Sequence, residues 1–154
     1  MGAGYEAMRR HFQSEGWLAH ELDGQTTLEL TYEGQSGRWA CYAQVREPQQ
    51  QFLFYSVCSV KVPPALRPAV AEYLTRANWE LVIGNLEMDW NDGDVRFKTE
   101  IEYEGDWPAT GLVQRAVYAN VLMMERYLPG LMAVIYGKVD AATALQQADG
   151  ERPA

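Results

Sequence analysis

From residue 95 onward, apolar and polar positions alternate without a break. Val95, Phe97, Thr99, Ile101 and Tyr103 interleave with Arg96, Lys98, Glu100, Glu102 and Glu104. A period of two is that of a strand with one face buried. Just upstream, Asp92-Gly93 is a strong two-residue hairpin signal. With that pair as the loop, Asn91 meets Asp94. One face then matches Trp90 with Val95, Met88 with Phe97, Leu86 with Thr99, Gly84 with Ile101 and Val82 with Tyr103. The other sets Asp89 against Arg96, Glu87 against Lys98 and Asn85 against Glu100. Apolar meets apolar and acid meets base twice, whereas a one-residue slip puts both sets on the wrong faces. The expectation is that Leu86, Phe97 and Ile101 are buried and Arg96, Lys98 and Glu102 exposed.

The same alternation runs through "TTLELTYEGQSGRWACYAQVRE", folded about residues 34–37. Pairing Glu33 with Arg38 sets Tyr32 opposite Trp39, Leu30 opposite Cys41 and Leu28 opposite Ala43. A third run, "QFLFYSVCSVKV", follows Pro48. Pairing Val45 with Phe54 sets Cys41 opposite Cys58 and Trp39 opposite Val60. The short stretch "WLAHEL" reads as a first strand or as an approach to the second.

Elsewhere the period is helical. Tyr5, Met8 and Phe12 share a face, and Gly16 marks a stop. Leu66, Val70, Tyr73, Leu74 and Ala77 form a second stripe, with Pro64 and Pro68 tolerated near its start. A long segment from Thr110 carries Leu112, Val113, Ala116, Val117, Val121, Met124 and Leu128. Pro129-Gly130 is expected to kink or break it before it continues to about Gly137. Asp140 caps a last short helix. The order α-β-β-β-(β)-α-β-β-α comes as hairpins rather than βαβ units, so the class is α+β with an antiparallel sheet flanked by helices. No repeat or low-complexity linker divides the chain. Residues 1–148 are read as one domain and 149–154 as a frayed tail.

With 154 residues and 47% apolar content the chain is long enough for a proper core. Its net charge of −8, with no run of Lys or Arg, argues against a nucleic-acid partner. The N-terminus lacks the unbroken apolar run of a signal peptide, so a cytoplasmic protein is expected. The most apolar segment carries Glu125 and Arg126 and is too broken to span a membrane alone. Cys41 and Cys58 read as reduced, buried small hydrophobes.

Candidate chemistry is thin. "MDWNDGDVRFKTE" imitates a calcium loop, with Asp89, Asn91 and Glu100 at positions 1, 3 and 12. Its glycine falls at position 5 instead of 6, so a turn is the stronger reading and no metal site is expected. The acids Glu87, Asp89, Glu100, Glu102 and Glu104 interleave with Arg96 and Lys98, as on a solvated sheet face. No nucleophile–base set, phosphate loop or cofactor fingerprint is present, so neither catalytic residues nor a cofactor are expected. Asn78 reads as a cap. The candidates for a ligand or interface contact are Asn85, Tyr118, Asn120, Met123 and Tyr127. Of these, Tyr118, Met123 and Tyr127 extend the apolar surface of the long helix beyond one stripe.

Two stretches, "RPAVAEYLTRANWELVIGNLEMDWNDGDVRFKTEIEYEGD" and "YANVLMMERYLPGLMAVIYG", resemble the YbjN family, described as bacterial sensory-transduction regulators. The resemblance covers most of residues 5–138 and is densest over 67–137. It implies a fold similar to the class I type III secretion chaperones, a helix-flanked antiparallel sheet that commonly dimerises. The family supplies no established catalytic residues, so none is carried over. The expected role is a non-enzymatic, protein-binding or regulatory, chaperone-like domain that forms a homodimer with itself. The alternative is a small-ligand sensor with a pocket between the sheet and the long helix.

Overall fold

A computed structural model of the chain describes residues 2–150. The elements are α1 (Ala3–Ser14), β1 (Ala19–Glu21), β2 (Thr27–Glu33), β3 (Arg38–Arg46), β4 (Gln51–Val57), α2 (Arg67–Glu80), β5 (Asn85–Met88), β6 (Val95–Glu102), α3 (Thr110–Tyr136) and α4 (Ala141–Gly150). A 3-10 turn at Pro64–Leu66 leads into α2. The six strands pair antiparallel in the order β1-β2-β3-β4-β6-β5. The class is α+β.

One sheet face is apolar from edge to edge. Leu28, Leu30, Cys41, Ala43, Val45, Phe52, Phe54, Leu86, Val95 and Phe97 all lie on it, and all are buried. Helix α1 covers β3 and β1, α3 covers β4 and β6, α2 packs on β5, and α4 rests on α2 and α3. Phe12 of α1 stacks on Phe54 with ring centroids 5.9 Å apart. The opposite face, with Tyr42, Tyr55, Glu87, Arg96 and Lys98, is half-buried at most.

The β2–β3 register is the expected one, Glu33 on Arg38 through Leu28 on Ala43. Two other registers differ, each by two residues. In β5–β6, Met88 pairs with Val95, Glu87 with Arg96 and Leu86 with Phe97. The loop is four residues, 90–93, closed by Asp89 N–H to the Asp94 carbonyl and Gly93 N–H to the Asp89 carbonyl, both 2.8 Å. Two aspartate side chains accept turn amides: Asp89 from Asn91 and Asp92 from Asp94, both at 2.9 Å. These local bonds favour the wider turn over a two-residue one. In β3–β4, Val45 pairs with Phe52 and Cys41 with Ser56, so the thiols are not opposite each other. Cys58 lies beyond β4, its N–H bonded to the Val95 carbonyl. A two-residue slip keeps every side chain on its face, so the buried set survives. Ile101 is an exception: near the end of β6 it is only half-buried, and Arg96 and Lys98 are half-buried rather than exposed.

Helix ends follow local chemistry. Helix α1 stops in a Schellman arrangement, with Trp17 N–H on the Phe12 carbonyl, Gly16 N–H on that of Gln13, and Gly16 at φ +81. Its N-terminus is closed from a distance: the Glu47 carboxylate accepts the N–H groups of Tyr5 (2.7 Å) and Gly4 (3.3 Å). Asp140 caps α4 by accepting Thr143 N–H at 2.9 Å. Asp149 and Gly150, expected in the tail, instead end α4, and Asp149 accepts a bond from Arg126 at 2.7 Å. Residues 151–154 of that tail lie outside the described residues.

Pro129-Gly130 does not break α3, which runs unbroken for 27 residues. Proline has no N–H to give the Glu125 carbonyl one turn back. The Ser36 hydroxyl, from the β2–β3 turn, donates to that carbonyl at 2.7 Å, and Ser36 N–H donates to the Glu125 carboxylate. Gly130 makes room for Tyr73: a Cβ there would lie 2.3 Å from the Tyr73 hydroxyl, which donates to the Tyr127 carbonyl at 2.8 Å.

His11 is almost fully buried and edge-on to Phe12. Burial holds its pKa below the usual value, although the nearby Glu15 pulls the other way. A histidine depressed in the folded state contributes stability above its unfolded pKa, about 6.5, and loses it as pH falls through the folded value. The urea midpoint is therefore expected to drop between about pH 7 and 5, and His11→Gln to flatten that drop. An unchanged slope in the variant contradicts the assignment.

Candidate functional site

The five sequence candidates separate in space. Asn120 is fully buried in α3, on the side facing the sheet. Its amide donates to the carbonyls of Phe54 (2.8 Å) and Phe97 (3.0 Å) and to the Thr99 hydroxyl (3.2 Å). It clamps the helix across β4 and β6, and its burial keeps it from a surface partner. Tyr127 is also buried, its ring 5.0 Å from the Arg126 guanidinium. Asn85 lies at the start of β5 on the open sheet face, within 3.4 Å of Glu87. Met123 is half-buried, and Tyr118 is 49% exposed.

Tyr118 belongs to a longer feature. The outer side of α3 exposes Leu112, Tyr118, Leu122 and Tyr136. Leu122, Pro129 and Tyr136 recur every seven residues, with Tyr118 one turn before Leu122. That spacing keeps them on one side of a helix about 40 Å long. Half-buried Ala119, Met132 and Ala133 fill in between, and Arg115 is the exposed charge at the N-terminal end. Leu112, expected on the inner stripe, is on the surface. The inner stripe of Val113, Val117, Val121 and Met124 is buried in the same core cluster as Phe54 and Phe97 of the sheet.

A second apolar feature escapes the sequence reading. Trp79 is 90% exposed, Val82 92% and Ile83 58%, at the tip between α2 and β5. The hairpin pattern pairs Val82 with Tyr103, but β5 begins only at Asn85. The warning was present: Val82 and Ile83 are adjacent, and a period of two cannot bury both. The tip is held on both sides. The Asn78 side chain donates to the Leu86 carbonyl and accepts Leu86 N–H, both at 2.8 Å. Gly84, at φ +74, sits where a Cβ would lie 2.5 Å from the Phe97 ring.

The open sheet face is polar and internally paired. Arg96 lies 4.2 Å over the Tyr55 ring and bonds Glu87, which also meets Lys98 at 3.3 Å. Burial pushes the Glu87 carboxyl up, but bonding to Arg96 and the charges of Arg96 and Lys98 outweigh it, leaving the pKa below the ordinary range. A carboxylate so committed is a poor proton carrier near neutrality. Cys41 touches Ser56 at 3.6 Å, and burial pushes its thiol up to about 11, away from the reactive thiolate. Asp89 and Asp92 use side-chain oxygens to close their own turn, and among the described residues no group of three His, Cys, Asp or Glu is placed to hold a metal. No helix among them is long and apolar enough to cross a membrane.

None of the curated proteins compared matches the chain. A crystal structure of YbjN from E. coli, described as "a putative transcription regulator", aligns over 93% of each chain with a TM-score of 0.60. At 14% identity that likeness concerns the fold alone. A family model described as "Putative bacterial sensory transduction regulator" matches residues 5–132. The chain belongs to the YbjN family.

Proposed function

We propose that this chain is a non-enzymatic, chaperone-like regulatory module of the cytoplasm that binds a protein partner and works as a homodimer through the outer seam of α3. The observation that carries this reading is the seam itself. Four large apolar side chains stand exposed along one side of a helix whose other side is fully packed. Together they leave on the order of 500 Å² of surface per copy, above the scattered exposure normal for a monomer. A two-fold pairing covers on the order of 1,000 Å², the lower bound for a specific interface. Isologous dimers are the commonest closed assembly, and a straight helix seam is self-complementary when set antiparallel to its copy. The charge of −8 supports action through protein contacts rather than on DNA, whose phosphates it repels.

The double variant Tyr118→Asp, Leu122→Asp tests the seam. Both side chains are about half exposed, so the melting temperature is expected to change by no more than about 2–4 °C. Two acids from each copy then face one another, and sedimentation equilibrium at micromolar concentration should report a monomer. A variant that keeps the wild-type dimer mass removes the seam as the interface.

A further inference from the structure

We propose that the uncovered half of β6, together with the α2–β5 tip, is a docking slot for an extended segment of a partner protein in which basic and apolar side chains alternate. The proposal rests on the reading of the chain as a protein-binding module and adds the place and the chemistry.

The slot exists because β5 is short. It pairs with β6 only from Val95 to Lys98, whereas β4 on the other side pairs from Arg96 to Glu102. Residues 99–102 of β6 thus have a strand on one side only. In an antiparallel ladder, alternate residues point both N–H and C=O at the same neighbour. Asp89 N–H bonds the Asp94 carbonyl on the β5 side, and Tyr103 N–H bonds the Gln50 carbonyl on the β4 side. Even-numbered β6 residues therefore face outward, and Glu100 and Glu102 present N–H and C=O to no strand.

The neighbouring edge is treated differently. On β5, the outward N–H and C=O of Leu86 are both taken by Asn78. A latched edge resists strand addition and an open one invites it. Gly84 produces the difference. A Cβ there would also lie 2.8 Å from the Lys98 carbonyl, and its left-handed backbone turns the chain away from β6. Val82 and Ile83 are exposed and do not pair along that edge.

Charge selects the occupant. Glu100, Glu102, Glu104 and Asp106 are all exposed. The bases of β6, Arg96 and Lys98, are committed to Glu87. A second copy adding its own β6 sets acid against acid, and like charges directly opposite repel. A foreign strand with basic residues opposite Glu100 and Glu102 removes that repulsion. Its apolar residues fall on the other face, beside the half-buried Ile101. The exposed Trp79, Val82 and Ile83 offer further apolar contact, and tryptophan is a frequent interface anchor.

The test uses the full chain and a ten-residue peptide of alternating lysine and valine. Amide spectra should show shifts at Glu100 and Glu102 and at the Trp79 indole, with slowed exchange at the two glutamate amides. Lysines opposite the glutamates aim their own amides at β6. N-methylation of every lysine should therefore weaken binding by about tenfold or more, and N-methylation of every valine should not. Glu100→Lys with Glu102→Lys should weaken the parent peptide by a similar factor, with the melting temperature confirming the fold. The proposal is overturned if those amides do not respond, or if the lysine-methylated peptide binds as well as its parent, which marks charge adhesion only. Mass measured on the same sample separates this from failure of the dimer reading: an intact dimer that ignores the peptide sinks the slot alone.

Discussion

Replacing Phe97 by Ala should lower the free energy of unfolding by about 3–5 kcal/mol in urea titrations, the range for an aromatic removed from a core that cannot collapse. Phe97 is fully buried at the centre of β6, between Ser56 of β4 and Leu86 of β5. Its ring lies against Gly84 and its carbonyl accepts the Asn120 amide, so strand and helix both hold the site open. Lys98→Ala, one residue on, should cost well under about 1 kcal/mol, because Lys98 only supplements the Arg96–Glu87 pair on the solvent face. Similar costs for the two variants contradict the assigned face of β6.

Gly93→Val is expected to cost about 3 kcal/mol or more, by two separable mechanisms. Gly93 sits at φ +80, where a β-branched residue is strained by roughly 1–3 kcal/mol. A Cβ there would also lie 2.2 Å from the Val62 carbonyl oxygen and 2.9 Å from its nitrogen. Both are backbone atoms, so the 58–66 segment must move. That movement breaks the Val62 N–H bond to the Gly93 carbonyl, 2.8 Å, and the Arg67 contacts to the carbonyls of Val62, Trp90 and Asn91. Thermal melts of Gly93→Ala and Gly93→Val should order as wild type, Ala, Val. A valine variant as stable as wild type contradicts the docked turn.

The period-two pattern carried the strand faces because a buried face leaves its mark on every second residue. It could not carry the registers of β3–β4 and β5–β6. A slip of two residues preserves each face, and the choice rests on turn bonds such as Asp89 to Asn91. Pro129-Gly130 misled for a different reason. Locally it reads as a break, but the carbonyl that proline orphans is satisfied by Ser36, a residue far away in the chain. Gly130 is required by the approach of Tyr73, whose hydroxyl would lie 2.3 Å from a Cβ there. Among the site candidates, the exposure of Tyr118 was legible because it lies off the apolar stripe. Asn120 was not: a polar residue on an apolar helix resembles a ligand contact until its amide is found spanning the carbonyls of two strands. The uncovered edge of β6 depends on the backbone of Gly84, and residue type alone does not distinguish a glycine that continues a hairpin from one that diverts it.

Light scattering of the full-length chain at micromolar concentration tests the central claim, that this is an association module joined through α3. The account predicts a mass of about 35 kDa, twice the 17.4 kDa of one chain. A mass of 17.4 kDa held across the accessible concentration range contradicts it.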